Sequence, residues 1–121
     1  MGKKILIVDD EEDMIFILKN FLSKKGYSIR EVKSGEECSE VLKKDKPDLI
    51  IMDIMMPGID GWETTRTIKT DERTKNIPVS MLSVKADTED VRRSFEYALA
   101  DHHLSKPIVF DDLLSTVESL T

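Results

Sequence analysis

The sequence predicts an α/β protein with a doubly wound parallel sheet, a (βα)₅ architecture. Two observations support this fold class: short, nearly continuous apolar runs of strand length, and longer amphipathic segments that alternate with them along the chain. Strands that alternate with helices are expected to run parallel and to be joined by right-handed crossovers. In an open parallel sheet the ligand site lies beyond the carboxyl ends of the strands, where the strand order reverses.

Three apolar runs give the clearest strands, and two weaker runs complete the sheet. The clear ones cover residues 5–8, 49–52 and 78–82, and their continuous hydrophobicity is typical of strands that are buried on both faces. The weaker ones cover residues 28–32 and 102–104.

Amphipathic segments follow the first three strands. The first segment ends at Gly26, a residue type that commonly terminates helices. Ser34 and Glu37 have the spacing of a capping box and predict the start of the second helix. The third helix is predicted over residues 61–70. The first helix carries these apolar residues at helical spacing: Met14, Ile17, Leu18, Phe21 and Leu22.

Two further helices complete the alternation. Asp87 is a candidate cap for the fourth helix, and the fifth is expected to begin near Asp111. The fourth is predicted to pack through one stripe of three residues: Val91, Phe95 and Leu99. The fifth is predicted to pack through Leu113, Leu114, Val117 and Leu120.

Length and composition define a class of protein before any motif is considered. The 121 residues are expected to form one domain over positions 1–121. The lone cysteine, Cys38, cannot form an internal disulfide, so a reducing, cytoplasmic location is expected. A formal charge of −6 argues against direct nucleic-acid binding by this domain, and no apolar run reaches the length of a membrane span.

Reactive side chains stand at the carboxyl ends of four predicted strands. Asp9 and Asp10 follow the first strand, Asp53 the third, Ser83 the fourth and Lys106 the fifth. Converging carboxylates repel one another and lose hydration, so such a cluster favours a bound cation. Oxygen ligands in a shallow site suit Mg²⁺, which keeps several of its waters. One carboxylate can then attack phosphorus, because the metal ion and the ammonium group offset the repulsion between two anions.

Each of these residues also has an ordinary structural explanation. An Asp after a strand is often a helix N-cap, which explains Asp9 or Asp10 as readily as a functional role does. A Lys-Pro pair usually forms a loop, and a lone serine needs no explanation. Asp53 is different, because it lies between Met52 and Ile54, and an acidic group inside an apolar run needs another reason. The functional hypothesis therefore depends on the combination of residues.

At these residues the sequence resembles the receiver domain of two-component response regulators, the CheY-like superfamily, over essentially the whole chain. The matching stretches are ILIVDDEED, PDLIIMDIMMPGIDG, IPVSMLSVKAD and LSKP. The resemblance implies a flavodoxin-like fold with strand order 2-1-3-4-5. It also implies a phosphorelay switch, in which a sensor histidine kinase or a phosphotransfer protein donates a phosphoryl group. A downstream partner is then expected to bind the face formed by the fourth helix, the fifth strand and the fifth helix.

The resemblance assigns roles to individual positions. Asp53 matches the aspartate that accepts the phosphoryl group. Asp10 matches the direct ligand of Mg²⁺, Asp9 matches the acid that helps to place the ion through water, and Met55 matches the position whose backbone carbonyl completes the ligand set. Ser83 and Lys106 match the hydroxyl and the ammonium that contact the phosphoryl group. The peptide bond after Lys106 is commonly cis in this family.

Three positions depart from the family pattern. His103 stands where a Tyr or Phe usually reports phosphorylation by turning inward, and imidazole is smaller, polar and titratable near neutrality. Leu99 stands where Gly commonly ends the fourth helix, and because Leu disfavours the left-handed conformation, that helix is expected to end differently. Val84 follows Ser83 where a small residue is usual, so its side chain is expected to hinder water or a phosphodonor.

The sequence leaves three functions open. The first is the phosphorylation switch, which is a signalling domain with at most self-directed phosphorylation and dephosphorylation, and not an enzyme. The second is a binding module of the same fold that signals independently of phosphorylation, an alternative motivated by the three departures. The third is a phosphatase with an aspartyl-phosphate intermediate. Such enzymes generally carry Asp-x-Asp and a cap, whereas Asp9-Asp10-Glu11 fills that spacing here and 121 residues leave no room for a cap.

Overall fold

The computed structural model describes residues 2–121, which contain one five-stranded parallel sheet. The spatial order is β2-β1-β3-β4-β5, and every neighbouring pair is parallel. The strands are β1 Lys4–Val8, β2 Ser28–Val32, β3 Leu49–Met52, β4 Val79–Ser83 and β5 His102–Ser105. The predicted fold class and strand order are confirmed, and each predicted strand is present to within one residue at either end.

Five helical segments connect and follow the strands. They are α1 Glu12–Lys24, α2 Gly35–Leu42, α3 Gly61–Thr70, α4 Thr88–Arg92 with a π-helical continuation over Arg93–Tyr97, and α5 Phe110–Leu120. Ser34, Asp60 and Asp87 cap α2, α3 and α4, each accepting a hydrogen bond from the backbone N–H three residues later. The predicted caps at Ser34 and Asp87 are therefore confirmed. None of these helices, within residues 2–121, has the length and apolar character that crossing a membrane requires.

Each face of the sheet packs against its own hydrophobic cluster. Along β1, Leu6 and Val8 contribute to the cluster covered by α2, α3 and the fourth helix, whereas Ile5 and Ile7 contribute to the cluster covered by α1 and α5. The central strands β1, β3 and β4 are buried almost throughout, as their continuous apolar runs predict. The sheet edge where these strands end is thereby held rigidly.

The predicted apolar faces of two helices need correction. Phe95 and Leu99 are each 41% exposed, whereas Ser94 and Ala98 are buried. The reason is a π turn: the N–H of Ala98 donates to the carbonyl of Arg93, five residues earlier, and the wider turn changes which side chains face the sheet. In α1, Ile15 is buried in place of the predicted Ile17, which is 40% exposed.

The expectation that Leu99 would prevent the usual helix ending is wrong. Leu99 adopts the left-handed conformation, with φ of 65°, and the N–H of Ala100 donates to the carbonyl of Ser94 at 2.9 Å to close the helix. This conformation costs a non-glycine residue about 1–2 kcal/mol of free energy. The tertiary contacts of the fourth helix therefore override the local preference of leucine.

Candidate functional site

Three aspartates converge at the carboxyl ends of β1 and β3. Val8 and Met52 are paired in neighbouring strands, so Asp9 and Asp53 leave the sheet side by side, and the N–H of Asp53 donates to the Val8 carbonyl at 2.8 Å. One carboxylate oxygen from each of Asp9, Asp10 and Asp53 lies within 4.8 Å of the other two. Asp9 and Asp53 are buried, whereas Asp10 is exposed. The sequence predicted this convergence from the strand ends.

Lys106 supplies a positive charge to this cluster. It follows β5, and its side chain is only 7% exposed. Its Nζ lies 3.0 Å from a carboxylate oxygen of Glu11, 3.4 Å from one of Asp9 and 3.6 Å from one of Asp53. The backbone N–H of Lys106 donates to the Ser83 carbonyl at 2.9 Å, which ties this loop to the end of β4. The peptide bond after Lys106 is cis, as the resemblance implies.

The charges in this cluster are not balanced by the protein alone. Burial, followed by the charge of Asp9, raises the pKa of Asp53 to about 7; Lys106 opposes this rise, and Asp10 and Glu11 add to it. Burial also raises the pKa of Asp9, against the N–H of Glu11 and the charge of Lys106. For Lys106, burial acts to lower the pKa, but the bond to Glu11 and the charges of Asp53 and Asp9 raise it overall. The lysine therefore stays protonated, while Asp9 and Asp53 need a further cation to be ionised together.

Ser83 and Met55 lie on the same edge of the sheet. Ser83 is the last residue of β4 and is fully buried, and its hydroxyl accepts a hydrogen bond from the N–H of Lys85 at 3.1 Å. Met55 follows Asp53 by two residues, and its side chain is exposed. The side chain of Val84 is 66% exposed, so it points largely into solvent next to Ser83.

Comparison with known proteins decides the family. The model of the family described as "Response regulator receiver domain" matches residues 5–118. The chain belongs to this family. It is similar to the phosphate regulon transcriptional regulatory protein PhoB of Pseudomonas aeruginosa, with 34% identity over 99% of this chain and 52% of PhoB. It is also similar to protein PilH of the same organism, with 32% identity over 97% of this chain and 96% of PilH.

A solved structure supports the same conclusion at the level of the fold. The crystal structure of a putative response regulator from Chloroflexus aurantiacus J-10-fl has a TM-score of 0.94 and 32% identity, covering 99% of this chain and 98% of the other. The receiver domain spans about half the length of PhoB and of several other transcriptional regulators that it matches.

Gly61 is a site residue of this receiver domain that sequence reasoning missed. It is the first residue of α3, and its N–H donates to the Ile54 carbonyl at 2.8 Å. A Cβ atom at this position would lie 2.0 Å from the carbonyl oxygen of Asp53, a distance that no packed structure allows. The backbone of α3 therefore rests directly against the backbone of Asp53. The available signal was a glycine next to a capping aspartate, Asp60, at the start of a helix.

Glu11 is the second residue that sequence reasoning missed. Its carboxylate makes the shortest contact to Lys106, and its backbone N–H donates to a carboxylate oxygen of Asp9 at 2.9 Å. The available signal was a third acidic residue directly after the Asp9–Asp10 pair. This residue orients two groups of the site from a single position at the start of α1.

Proposed function

We propose that this receiver domain accepts a phosphoryl group on Asp53 in a Mg²⁺-dependent reaction, from the phosphohistidine of a sensor kinase or phosphotransfer protein. The observation that carries the proposal is the setting of Asp53: a buried carboxylate beside Asp9 and Asp10, with the Lys106 ammonium 3.6 Å away. An ionised carboxylate in such a setting lowers the stability of the fold, because burial and like charges both oppose its ionisation. Perturbed acids of this kind cluster at functional sites.

The donor set fits Mg²⁺. The carboxylate oxygens of Asp9, Asp10 and Asp53 lie within 4.8 Å of one another, and hard oxygen ligands are those that this ion prefers. Asp10, Asp53 and the backbone carbonyl of Met55 would hold the ion directly, and Asp9 would do so through a water molecule. When bound, Mg²⁺ supplies positive charge to the aspartates and to the incoming phosphoryl oxygens.

The side chains then have distinct tasks in the transfer. An ionised Asp53 oxygen attacks phosphorus, an O–P bond forms, the P–N bond of the donor breaks, and its electron pair remains on the departing imidazole. The Lys106 ammonium offsets the charge that accumulates on the phosphoryl oxygens. The Ser83 hydroxyl accepts a hydrogen bond from the N–H of Lys85, so its own proton is available for a phosphoryl oxygen.

The proposed output is a protein surface and not a product. Ser83 and Lys106 lie at the ends of β4 and β5. Their movement toward a phosphoryl group would therefore displace the face formed by α4, β5 and α5. We propose that a downstream partner binds this face. We propose the whole chain, residues 1–121, as the receiver unit, in a cytoplasmic setting that suits its lone Cys38. Any catalysis is self-directed, limited to autophosphorylation and autodephosphorylation. The formal charge of −6 is why we assign no direct nucleic-acid contact to this domain.

Intact mass after incubation with acetyl phosphate tests the proposal. The wild-type chain is expected to gain one phosphoryl group with Mg²⁺ and none with EDTA, and Asp53→Asn is expected to gain none. Asp87→Asn is the matched control, because it makes the same change at the cap of α4 and should leave labelling intact. Labelling of Asp53→Asn would contradict the assignment. No labelling of the wild type under any condition would favour the phosphorylation-independent binding module.

A further inference from the structure

Glu11 breaks the local rule for the start of a helix. It is the N-cap residue of α1, with extended backbone angles, but its side chain makes no capping hydrogen bond. The caps of α2, α3 and α4 are Ser or Asp side chains that do make this bond, whereas Val109, the N-cap of α5, has no side-chain acceptor to make it. Glu is a poor choice for a cap, because Ser, Thr, Asp and Asn are the residues that satisfy the free backbone N–H groups. A departure from a local rule next to a functional site indicates a role outside the helix.

The side chain of Glu11 reaches across the site to Lys106. Its contact with Nζ is 3.0 Å, against 3.4 Å for Asp9 and 3.6 Å for Asp53. The ammonium is therefore drawn toward the start of α1, and its distance from Asp53 exceeds that of a normal hydrogen bond. Lys106 is nearly buried, whereas the Glu11 side chain is 62% exposed, so solvent partly screens this ion pair and its contribution is that of a modest surface pair.

We propose that Glu11 is a positioning residue that holds Lys106 in the resting state and competes for its ammonium with the phosphoryl group on Asp53. The inference rests on the proposed function and deepens it. To contact a phosphoryl group on Asp53, the Lys106 ammonium must move toward Asp53 and away from the Glu11 carboxylate. Glu11 therefore makes the phosphorylated state less stable relative to the resting state, and this side chain affects how much of the protein is in the active conformation.

Two substitutions separate contact from charge. Glu11→Asp keeps the negative charge and provides a good N-cap, but its side chain is one methylene shorter and loses contact with Lys106. Glu11→Gln keeps the length and removes the charge. The control is Glu12→Gln, which removes a charge at the next position of α1, where the carboxylate binds Lys33 and not Lys106.

The measurement is the Kd of beryllofluoride, a mimic of a carboxylate-bound phosphoryl group, at saturating Mg²⁺. Glu11→Asp and Glu11→Gln are each expected to bind it about 1.5- to fivefold more tightly than the wild type, the range for loss of one partly exposed ion pair. Glu12→Gln is expected to match the wild type. The Kd of Mg²⁺ alone and the unfolding free energy are measured in parallel, because a purely structural role would change those quantities and leave the beryllofluoride Kd unaltered.

Two results overturn the inference in distinguishable ways. If the wild type binds beryllofluoride and Glu11→Asp binds it no more tightly, competition for Lys106 is excluded while the proposed function stands. If the wild type neither binds beryllofluoride nor gains a phosphoryl group, the proposed function fails and the role of Glu11 fails with it.

Discussion

The ends of β1 and β3 and the fourth helix differ in how well the local sequence pattern predicts which side chains are buried and where they lie. At the ends of β1 and β3, the aspartates lie where the strand pattern places them, and each is fixed by the register of the sheet. At the fourth helix the pattern fails: Phe95 and Leu99 are exposed, and Ser94 is buried. Positions next to buried strands are therefore determined by the local sequence, whereas the fourth helix is positioned by contacts with other parts of the chain.

A chain of polar contacts takes the place of the expected apolar stripe. The indole N–H of Trp62, on α3, donates to the Ser94 hydroxyl at 3.0 Å, and that hydroxyl lies 2.8 Å from Nδ1 of His103 on β5. Because the indole is only a donor, the Ser94 proton is free to go to Nδ1. Burial lowers the pKa of His103, which favours the neutral imidazole that accepts it. The Arg93 guanidinium also lies 4.8 Å from the rings of Trp62 and Tyr97.

The largest loss of stability is expected at the backbone contact behind Asp53. Gly61→Ala places a methyl group against the Asp53 carbonyl, and the clash can be relieved only by moving backbone atoms. The substitution is therefore expected to lower the free energy of unfolding by about 3 kcal/mol. Gly26→Ala is the control, because its methyl group meets open space and the only cost is that of a φ of 96°, about 1–2 kcal/mol. Urea denaturation measures both. Equal costs would show that close packing behind Asp53 does not matter.

The next effect tests the fourth helix. Ser94→Ala leaves the buried N–H of Trp62 and Nδ1 of His103 without partners and is expected to cost about 2–3 kcal/mol. It should also change the fluorescence of Trp62, the only tryptophan. Ser119→Ala on α5, which removes only a local bond to the Thr116 carbonyl, is expected to cost below about 0.5 kcal/mol. Similar costs for the two serines would show that the polar contacts of Ser94 do not stabilise the fourth helix.

A smaller effect concerns pH. The pKa of Asp53 is raised by burial to about 7, so in EDTA the folded chain binds a proton that the unfolded chain releases near pH 4. Its stabilising contribution is complete below pH 4 and is lost as the pH rises through 7. The wild type is expected to lose about 1–2 kcal/mol more than Asp53→Asn over that interval, because Asn does not titrate. Asp87→Asn should follow the wild type.

Denaturation of the three chains from pH 4 to pH 8, with EDTA and with Mg²⁺, measures this difference. Mg²⁺ is expected to reduce the pH dependence of the wild type, since the ion favours the ionised carboxylates. A wild type whose stability rises over this interval in EDTA, relative to Asp53→Asn, would contradict the electrostatic account of the site.

The smallest effect concerns the end of the fourth helix. Leu99→Gly removes the cost of a φ of 65° and is expected to stabilise the chain by about 0.5–1 kcal/mol, although some apolar contact is lost. The same change at Leu114, inside α5, is expected to destabilise by about 1 kcal/mol or more, because Gly is unfavourable in a helix interior. Urea denaturation compares them. Destabilisation by Leu99→Gly would mean that its side-chain packing outweighs the backbone cost.

Most of the fold and much of the site could be predicted from the sequence, for a physical reason. Continuous apolar runs identify buried parallel strands, and residues that follow such strands must meet at one edge of the sheet. Nothing local predicts the bond between Ser94 and His103, because their partners come from separate elements. The left-handed backbone conformation of Leu99 could not be predicted either, because leucine disfavours that conformation and only tertiary contacts impose it. Glu11 was missed because it lies three residues beyond the end of β1, as the N-cap of α1, where the strand pattern no longer places a side chain.

Locating the phosphoryl group within the labelled chain tests directly whether Asp53 is the acceptor. Peptide mass spectrometry after Mg²⁺-dependent labelling with acetyl phosphate should place one phosphoryl group on the fragment that contains Asp53, and fragmentation should assign it to that residue. A phosphoryl group on the fragment with Asp9 and Asp10 instead would contradict the account, because those carboxylates are assigned to the metal ion and not to the transfer.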